Sequence, residues 1–430
     1  MAPRKKRRGR PLPKVNAPAP TPRRLIIDRL GAGGDGMSDD IAVPYALPGE
    51  EVVADVAGKE GRLTVIASPS PARHAAQCAH FGLPGDECGG CHLQHMGTEE
   101  SLAWKVARVE KTLGAALADP LPTTNSFQTR PSTRRRAKFA ITARKNGVAF
   151  GFHARRSHRV VQLKDCAILE PALFAVRETL AKAKLSLPID RRRGGALLLT
   201  LTETGIDAAM DGMDEAALSP ETRQRLCDVA QEAGIIHLSV DGIPVLAVDK
   251  PTLSFDDVPV HLPSGAFLQA TQDGEQALQR AVCGSVGEAG KVADLFCGVG
   301  TFSLPLSRKA TVTAVDIAGP AIDALTQAAK RAGRHVTPLR RNLFTDPLTT
   351  RELEAFDAVV FDPPRAGARV QAETLATSGV PTVIAVSCNP ATLARDAATL
   401  APHYRLDEVY VVDQFLWSPH IEVVSVFRRR

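Results

Sequence analysis

The most informative stretch of this sequence is VADLFCGVGTF, residues 292–302. It starts as a short apolar run, typical of a buried strand, and continues through Gly298 and Gly300 into a helix predicted to begin near Thr301. Glycines at such a turn let the backbone approach a bound cofactor closely. Asp316 ends the next predicted strand about 20 residues further on, where a carboxylate can accept both hydroxyls of a ribose. The stretch therefore predicts a nucleotide-containing cofactor.

The spacing of the glycines distinguishes between two such cofactors. A dinucleotide site requires G-x-G-x-x-G, and Ser303 stands where the third glycine would be. We therefore favour S-adenosylmethionine over a dinucleotide. A tight turn without a cofactor is the remaining alternative.

Seven short apolar runs alternate with helical segments in the last third of the chain, which predicts an α/β domain with a mostly parallel, doubly wound sheet. In such sheets ligands bind beyond the carboxyl ends of the strands. The predicted strands cover residues 292–296, 311–317, 335–339, 358–361, 382–387, 408–412 and 422–427.

Two of these strands end on groups that can perform chemistry. Asp362, in Asp-Pro-Pro-Arg, follows one strand and can bond to the N–H edge of a substrate base. Cys388, in Ser-Cys-Asn-Pro, follows another and precedes a predicted helix, whose N-terminus should lower the pKa of the thiol. The structural alternatives are a strand-ending turn for Asp362 and a small buried hydrophobic residue for Cys388.

Three segments precede this domain. Residues 1–23 are rich in proline and basic residues and predict a disordered tail, either a nucleic-acid arm or a solvated leader. Residues 24–68 hold short alternating runs separated by turns, which predict a small β-barrel of about five strands. Residues 69–260 form a mixed central region, in which an amphipathic helix is predicted from Thr98 onward with Glu99 in its first turn.

Charge and composition indicate the partner. The 430 residues carry a net charge of +6, but nine basic residues lie in the first 24, and the remainder has a net charge of −3. Residues 121–164 hold eleven Lys or Arg and no acid, with Phe139, Phe150 and Phe152 among them. This composition favours contact with RNA over a merely solvated face. With 44% hydrophobic residues, the chain is neither a disordered effector nor a disulfide mini-protein.

No apolar run is long enough to span a bilayer and no secretion signal is present, so we expect a cytoplasmic protein with reduced cysteines. Four of the eight cysteines can meet in one cluster: Cys78, Cys88, Cys91 and Cys166. Zinc is an alternative because His80, His92 and His95 lie nearby. A zinc site usually has a second C-x-x-C or H-x-H pair, whose absence favours an iron–sulfur cluster.

Taken together, these motifs resemble the bacterial class I uracil-5 RNA methyltransferases, most closely their iron–sulfur branch, which acts on 23S ribosomal RNA. Residues 46–50, ALPGE, resemble part of a TRAM domain; residues 88–95, CGGCHLQH, resemble the cluster signature. The resemblance implies an OB-like TRAM barrel, a mixed central domain carrying a [4Fe-4S] cluster, and a Rossmann-like class I methyltransferase domain over residues 261–430.

The resemblance also implies roles for individual residues. Cys388 is the expected nucleophile and Glu422, in the C-terminal motif, the expected general base. Thr301 stands where the family more often has Asn, and Asp316 where it often has Glu. The residues expected to line the S-adenosylmethionine site are Gln269, Phe296, Thr301, Asp316, Asn342 and Asp362. The expected cluster ligands are Cys78, Cys88, Cys91 and Cys166.

The implied reaction is methylation of carbon 5 of a uridine in 23S rRNA, through attack of Cys388 on carbon 6. The implied protein is a monomer that needs no obligate protein partner. Two alternatives stay open: a uracil-5 methyltransferase that acts on tRNA, and a non-catalytic RNA-binding factor.

Overall fold

A computed structural model describes most of the chain, which divides into two compact units, Met1–Arg73 and His74–Arg430. The described residues are 19–82, 87–190, 192–213 and 215–430. Residues 1–18, which make up most of the predicted tail, lie outside them. Within the described part of the chain, no helix has the length and apolar character needed to cross a bilayer.

The first unit is a six-stranded sheet in the order β1-β5-β6-β4-β3-β2. Its strands are β1 (Thr21–Ile26), β2 (Arg29–Leu30), β3 (Gly36–Ser38), β4 (Ile41–Val43), β5 (Glu51–Ala57) and β6 (Glu60–Ser68). Ile27 and Asp28 join the two edge strands, and their amides donate to the carbonyls of Glu50 and Met37. The segment Ile27–Asp28 therefore forms hydrogen bonds at both edges of the sheet, as a barrel requires. The first strand begins at Thr21, so residues 21–23, predicted as tail, belong to the sheet.

The second unit begins with α1 (Thr98–Gly114) and β7 (Thr124–Gln128) and continues into a mixed sheet in the order β10-β9-β8-β11-β12-β13-β14. Two helices, α2 (Pro171–Lys182) and α3 (Pro220–Glu232), pack on this sheet, and a 3₁₀ helix spans Glu215–Ala217. The strands are β8 (Arg136–Arg144), β9 (Gly147–His153), β10 (Val160–Val161), β11 (Gly195–Leu201), β12 (Ile206–Asp211), β13 (Ile235–Val240) and β14 (Ile243–Ala247).

A hairpin of β15 (Thr252–Phe255) and β16 (Val258–His261) leads into alternating helices and strands. The helices are α4 (Gln272–Val286), α5 (Ser303–Leu306), α6 (Gly319–Arg331), α7 (Thr350–Leu353), α8 (Arg369–Thr377) and α9 (Pro390–Leu400). The strands are β17 (Lys291–Leu295), β18 (Thr311–Asp316), β19 (Val336–Arg340), β20 (Ala358–Phe361), β21 (Thr382–Ser387), β22 (Tyr404–Asp413) and β23 (Glu422–Arg429).

These strands form an eight-stranded sheet in the order β19-β18-β17-β20-β21-β23-β22-β7. Neighbours are parallel except at β23, which is antiparallel to both β21 and β22. The predicted doubly wound sheet is therefore confirmed. Its eighth strand, β7, comes from the segment predicted as central region, and α1 also packs here, with Val109 and Leu113 in the same core as Leu393. The helix includes Thr98, and its N-cap is Gly97, without a side-chain cap.

Candidate active site

A cavity of about 640 Å³ lies at the carboxyl ends of β17, β18, β20 and β21, and we call it the reaction cavity. Seven of the eight residues predicted for catalysis and cofactor binding line it: Gln269, Phe296, Asp316, Asn342, Asp362, Cys388 and Glu422. Thr301 does not line it. The carbonyl oxygen of Thr301 accepts a hydrogen bond from Gln279 Nε2 (2.9 Å).

The loop after β17 forms one wall of the reaction cavity. Phe296 and Gly298 adopt positive φ angles of 63° and 55°, so the chain turns sharply where the strand ends. Gly300 has a φ of 101°, and a Cβ there would lie 2.5 Å from Leu325 Cδ1 of α6. This glycine is therefore required for packing against a helix, and it is absent from the lining of the cavity.

Asp316 is fixed at the end of β18 by two backbone amides. Its Oδ2 accepts from the amide of Gly298 (3.0 Å), and its Oδ1 accepts from the amide of Ala318 (2.8 Å). In the same cavity the ring centroids of Phe296 and Phe344 lie 5.4 Å apart. An oriented carboxylate beside an apolar wall suits a ribose joined to a flat base.

Cys388 and Glu422 also line the cavity. The antiparallel register of β21 and β23 pairs Ser387 with Val423. Cys388 follows the first residue and Glu422 precedes the second, so the register brings them to the same place. Asn389 fixes the turn, because its Oδ1 accepts from the amide of Ala391 (3.1 Å) while its Nδ2 donates to the Arg365 carbonyl (3.1 Å).

The thiol of Cys388 does not have the lowered pKa that its place before α9 suggested. Burial raises the pKa of Cys388 to about 11, and the nearby charges of Glu422 and Asp362 act in the same direction. Arg365 opposes them without reversing the outcome. The expectation was wrong because burial and two carboxylates outweigh the helix terminus. Cys388 is therefore a thiol at neutral pH in the protein alone.

The two carboxyl groups are themselves protonated more readily than usual. Burial raises the pKa of Asp362 to about 7. Burial and the charge of Asp362 raise the pKa of Glu422 well above its ordinary value. Two buried carboxylates cannot both ionise at little cost, so near neutral pH the pair can accept or release a proton.

A hydrogen-bond network that the sequence did not predict holds Gln269 and the end of β22 in place. Gln414 Nε2 donates to Gln269 Oε1, while Gln414 Oε1 accepts from the amide of Ala270 (2.7 Å). The neighbouring Asp413 forms a fully buried ion pair with Lys105 of α1 (2.6 Å). Nothing local in the sequence links Gln414 or Asp413 to partners this distant.

The segment Arg134–Arg136 is not the exposed patch that its charge suggested. The Arg135 side chain is only 7% exposed and forms an ion pair with Glu275 (2.6 Å), and its Nε donates to the Gln269 carbonyl (3.3 Å). Among the interleaved aromatic residues, Phe139 and Phe150 are fully buried in the core. The RNA-contact hypothesis therefore cannot include the side chains of Arg135, Phe139 and Phe150. Arg135 is already paired with Glu275, and the two phenylalanine rings are enclosed in the apolar core.

The four predicted cluster cysteines all line one small cavity of about 20 Å³. Burial raises the pKa of Cys78 and Cys91 to about 12 and that of Cys88 to about 11. Burial also raises the pKa of Cys166. Over the described residues, however, no three His, Cys, Asp or Glu side chains are arranged closely enough to hold a metal ion.

The known proteins to which this chain is similar in sequence are RNA methyltransferases. The family described as tRNA (Uracil-5-)-methyltransferase matches residues 258–430. An RNA methyltransferase of Brucella melitensis is 40% identical, over 94% of this chain and 97% of that protein. The 23S rRNA (uracil(1939)-C(5))-methyltransferase of Pseudomonas entomophila is 31% identical, over 94% of this chain and 93% of that protein.

Among solved structures, the tRNA (uracil-54, C5)-methyltransferase of Pyrococcus abyssi, in complex with S-adenosyl-L-homocysteine, aligns with a TM-score of 0.71. It covers 94% of this chain and all of that chain at 22% identity. At this identity the likeness establishes the fold, and it confirms the class I methyltransferase architecture.

Proposed function

Because the chain belongs to the family of S-adenosylmethionine-dependent RNA (uracil-5-)-methyltransferases, we propose that it methylates a uridine of 23S rRNA through a covalent intermediate on Cys388. The observation that carries this proposal is the reaction cavity, whose lining includes Cys388, Asp362 and Glu422 together with Phe296 and Asp316. Membership of this family makes the chain an enzyme, so the non-catalytic alternative is set aside.

The proposed chemistry starts from the poor nucleophilicity of carbon 5 of uracil. The Cys388 thiol passes its proton to the neighbouring Asp362 carboxylate as its sulfur bonds to carbon 6, and the ring becomes an enolate whose electron-rich carbon 5 takes the methyl group. When bound, S-adenosylmethionine supplies an electrophilic methyl group on a positively charged sulfur, whose field favours the ionised forms of Asp362 and Glu422. Glu422 then takes the proton from carbon 5, and the electron pair of that bond expels the Cys388 thiolate.

The surrounding residues keep the pyrimidine in place. Asp362 and Gln269 present acceptors and donors to the polar edge of the base, and Gln269 is itself held by Gln414. The attack needs access to the face of the ring, so the uridine must leave its stack and enter the cavity. Phe267, 68% exposed at the cavity rim, offers an apolar surface beside the entrance.

The choice of 23S rRNA rests on the Pseudomonas entomophila relative, which acts on that RNA and matches over nearly the full length of both chains. A tRNA substrate is the alternative, favoured by the name of the matching family. Mapping 5-methyluridine in 23S rRNA and tRNA from a deletion strain separates them. We expect one 23S position to lose its methyl group and to regain it on complementation. Loss in tRNA alone would establish the alternative.

Two further parts of the proposal concern the remaining segments. The first unit would act as a TRAM domain, which is supported by its small closed sheet and by the buried Glu50, whose carboxylate accepts from the amides of Leu47 (2.8 Å) and Ser70 (3.2 Å). Cys78, Cys88, Cys91 and Cys166 would hold a [4Fe-4S] cluster. Four half-buried thiols around one small cavity fit a soft, thiolate-binding group.

A further inference from the structure

A second cavity, of about 330 Å³, lies in the same unit as the reaction cavity. Its walls come from three places: the cysteine knuckle, the mixed sheet with its preceding loop, and the loop between β22 and β23. The residues used below are Arg130, Arg134, Lys138, Phe152, Phe415 and His420. Nothing in the proposed chemistry uses this cavity.

The two cavities share a wall. Gln414 lines the second cavity and donates to Gln269, which lines the reaction cavity. His420 lines the second cavity, and Glu422, two residues later, lines the reaction cavity. The Nη2 of Arg365, another residue of the reaction cavity, lies 3.3 Å from His420 Nδ1. A polymer with one unit in the reaction cavity would therefore have an adjacent unit near the second.

The lining has the chemistry of a nucleotide site. Among the described residues that line the second cavity there are three Lys or Arg, two His and no Asp or Glu. Arg130 is exposed, and the side chain of Lys138 is 64% exposed. The Nζ of Lys138 lies 3.9 Å from Asp211 Oδ2 in a solvent-exposed ion pair, which is weak enough for a phosphate to replace, so both cations can reach a phosphate. Phe152 and Phe415 are half-buried and present their rings. Cations at the rim with aromatic rings below are the combination that binds single-stranded nucleic acid.

Contacts within the protein hold the two aromatic rings of the second cavity in place. The Phe152 ring stacks on the buried Phe139 with centroids 4.8 Å apart and an interplanar angle of 9°. The Arg134 guanidinium lies 5.7 Å from the centroid of the Phe415 ring. The amides of His92 and Leu93, in the knuckle, donate to the Trp417 carbonyl at 2.7 and 3.0 Å. The cavity is thus largely preformed, which limits the entropy lost on binding.

His420 contributes a neutral donor or acceptor to this cavity. Burial and the nearby Arg365 lower the pKa of His420 to about 4, so its ring is uncharged at neutral pH. An uncharged imidazole can bond to the edge of a base without attracting a phosphate to that part of the site.

We propose that the second cavity binds a nucleotide that neighbours the target uridine in the same RNA strand. Its phosphate lies at Arg130 and Lys138, and its base packs against Phe152 and Phe415. This inference rests on the proposed function for the identity of the target base, but the binding itself does not require methyl transfer. It gives the knuckle that carries Cys88 and Cys91 a part in shaping the RNA site.

The first test measures binding of a fluorescein-labelled oligouridylate over a range of salt concentrations. For the double variant Arg130→Ala/Lys138→Ala, we expect the slope of log K against log salt to become less steep by about 0.7, the contribution of the one phosphate that these two side chains contact on a single strand. Lys309→Ala, which removes another exposed cation, is the matched control and should leave the slope unchanged. An unchanged slope in the double variant would overturn the proposal.

The second test places the RNA directly. Oligouridylate containing 4-thiouridine should photocross-link to peptides that contain Phe152 or Phe415, and Phe415→Ala should weaken binding by between about fivefold and a hundredfold. Binding of S-adenosylhomocysteine to Phe415→Ala, measured by calorimetry, should match the wild type and shows that the variant is folded. Cross-links confined to other peptides would contradict the proposal. A wild-type protein that shows these cross-links and methylates no RNA would instead overturn the proposed function alone.

Discussion

Cys388 and Glu422 meet because two antiparallel strands bring them to the same edge of the sheet, where the charge of Glu422 alters the acidity of Cys388. The negative charge of Glu422 is one cause of the raised pKa of Cys388, after burial. The cysteine is therefore protonated in the protein alone, and a thiol is oxidised and alkylated less readily than a thiolate. Reactivity then depends on ligands that change the charge in the cavity.

This coupling predicts the effect of neutralising Glu422. A group whose pKa is raised by a neighbouring negative charge becomes more acidic when that charge is removed, so Glu422→Gln should lower the pKa of Cys388. At mildly alkaline pH, below that pKa, more thiolate is then present, and iodoacetamide should alkylate Cys388 roughly tenfold faster. Peptide mass spectrometry gives the rate for this cysteine alone. Glu288→Gln, at an exposed position, should change nothing, and a slower reaction in Glu422→Gln would contradict the assignment.

At the scale of elements, α1 and β7 hold in place the end of β22, which leads into the active site. Lys105 of α1 is fully buried, and its Nζ donates to Asp413 Oδ1 (2.6 Å) and to the Phe415 carbonyl (3.2 Å). Gln128, at the end of β7, donates to the other carboxylate oxygen of Asp413 (3.0 Å). These bonds fix the end of β22, from which Gln414 reaches Gln269.

Replacing Lys105 tests this support. Lys105→Met leaves the Asp413 carboxylate buried without its cation, which should lower the free energy of unfolding by about 3–5 kcal/mol. Lys111→Met, at an exposed position on the same helix, should change it by less than about 0.5 kcal/mol. Urea denaturation followed by circular dichroism measures both. Equal stability of the two variants would show that the ion pair does not hold this end of the sheet.

The elements that the sequence predicted well are those with a strong local signal. Buried parallel strands are continuous apolar runs bounded by turns, and the predicted bounds 358–361 and 382–387 are those of β20 and β21. Their ends carry Asp362 and Cys388, so much of the site could be predicted too. The polar strand β7 has no such signal. The Lys105–Asp413 pair and the pKa of Cys388 depend on residues far apart in sequence, which only the folded chain brings together.

At the scale of the whole second unit, the mixed sheet is an insertion within the methyltransferase fold. The chain leaves the large sheet after β7, forms β8–β14, and returns through the hairpin of β15 and β16. Arg135 joins the two parts, because it pairs with Glu275 of α4 and bonds to the carbonyl of Gln269. The segment proposed to contact RNA is thus connected to the residue proposed to hold the target base.

The cysteine cluster of the same unit can be tested by metal analysis. The proposal is that these four thiols exchange their protons for a soft cationic group. Protein purified without oxygen should contain iron and labile sulfide, and Cys166→Ala should lose both. Cys227→Ala is the matched control, since Cys227 lies on α3 and does not line the small cavity. Stoichiometric zinc without iron or sulfide would show that the site is a zinc site.

The most direct test of the central claim, methyl transfer through a Cys388 adduct, is to follow the labelled methyl group of S-adenosylmethionine on denaturing gels with substrate RNA. Glu422→Gln should attack and methylate the uridine but not release it, leaving labelled RNA joined to the protein. Cys388→Ala should bind RNA and cofactor but transfer no methyl group and form no adduct. Normal turnover by Glu422→Gln would show that another base acts, and a labelled adduct or methylated RNA from Cys388→Ala would contradict the covalent mechanism.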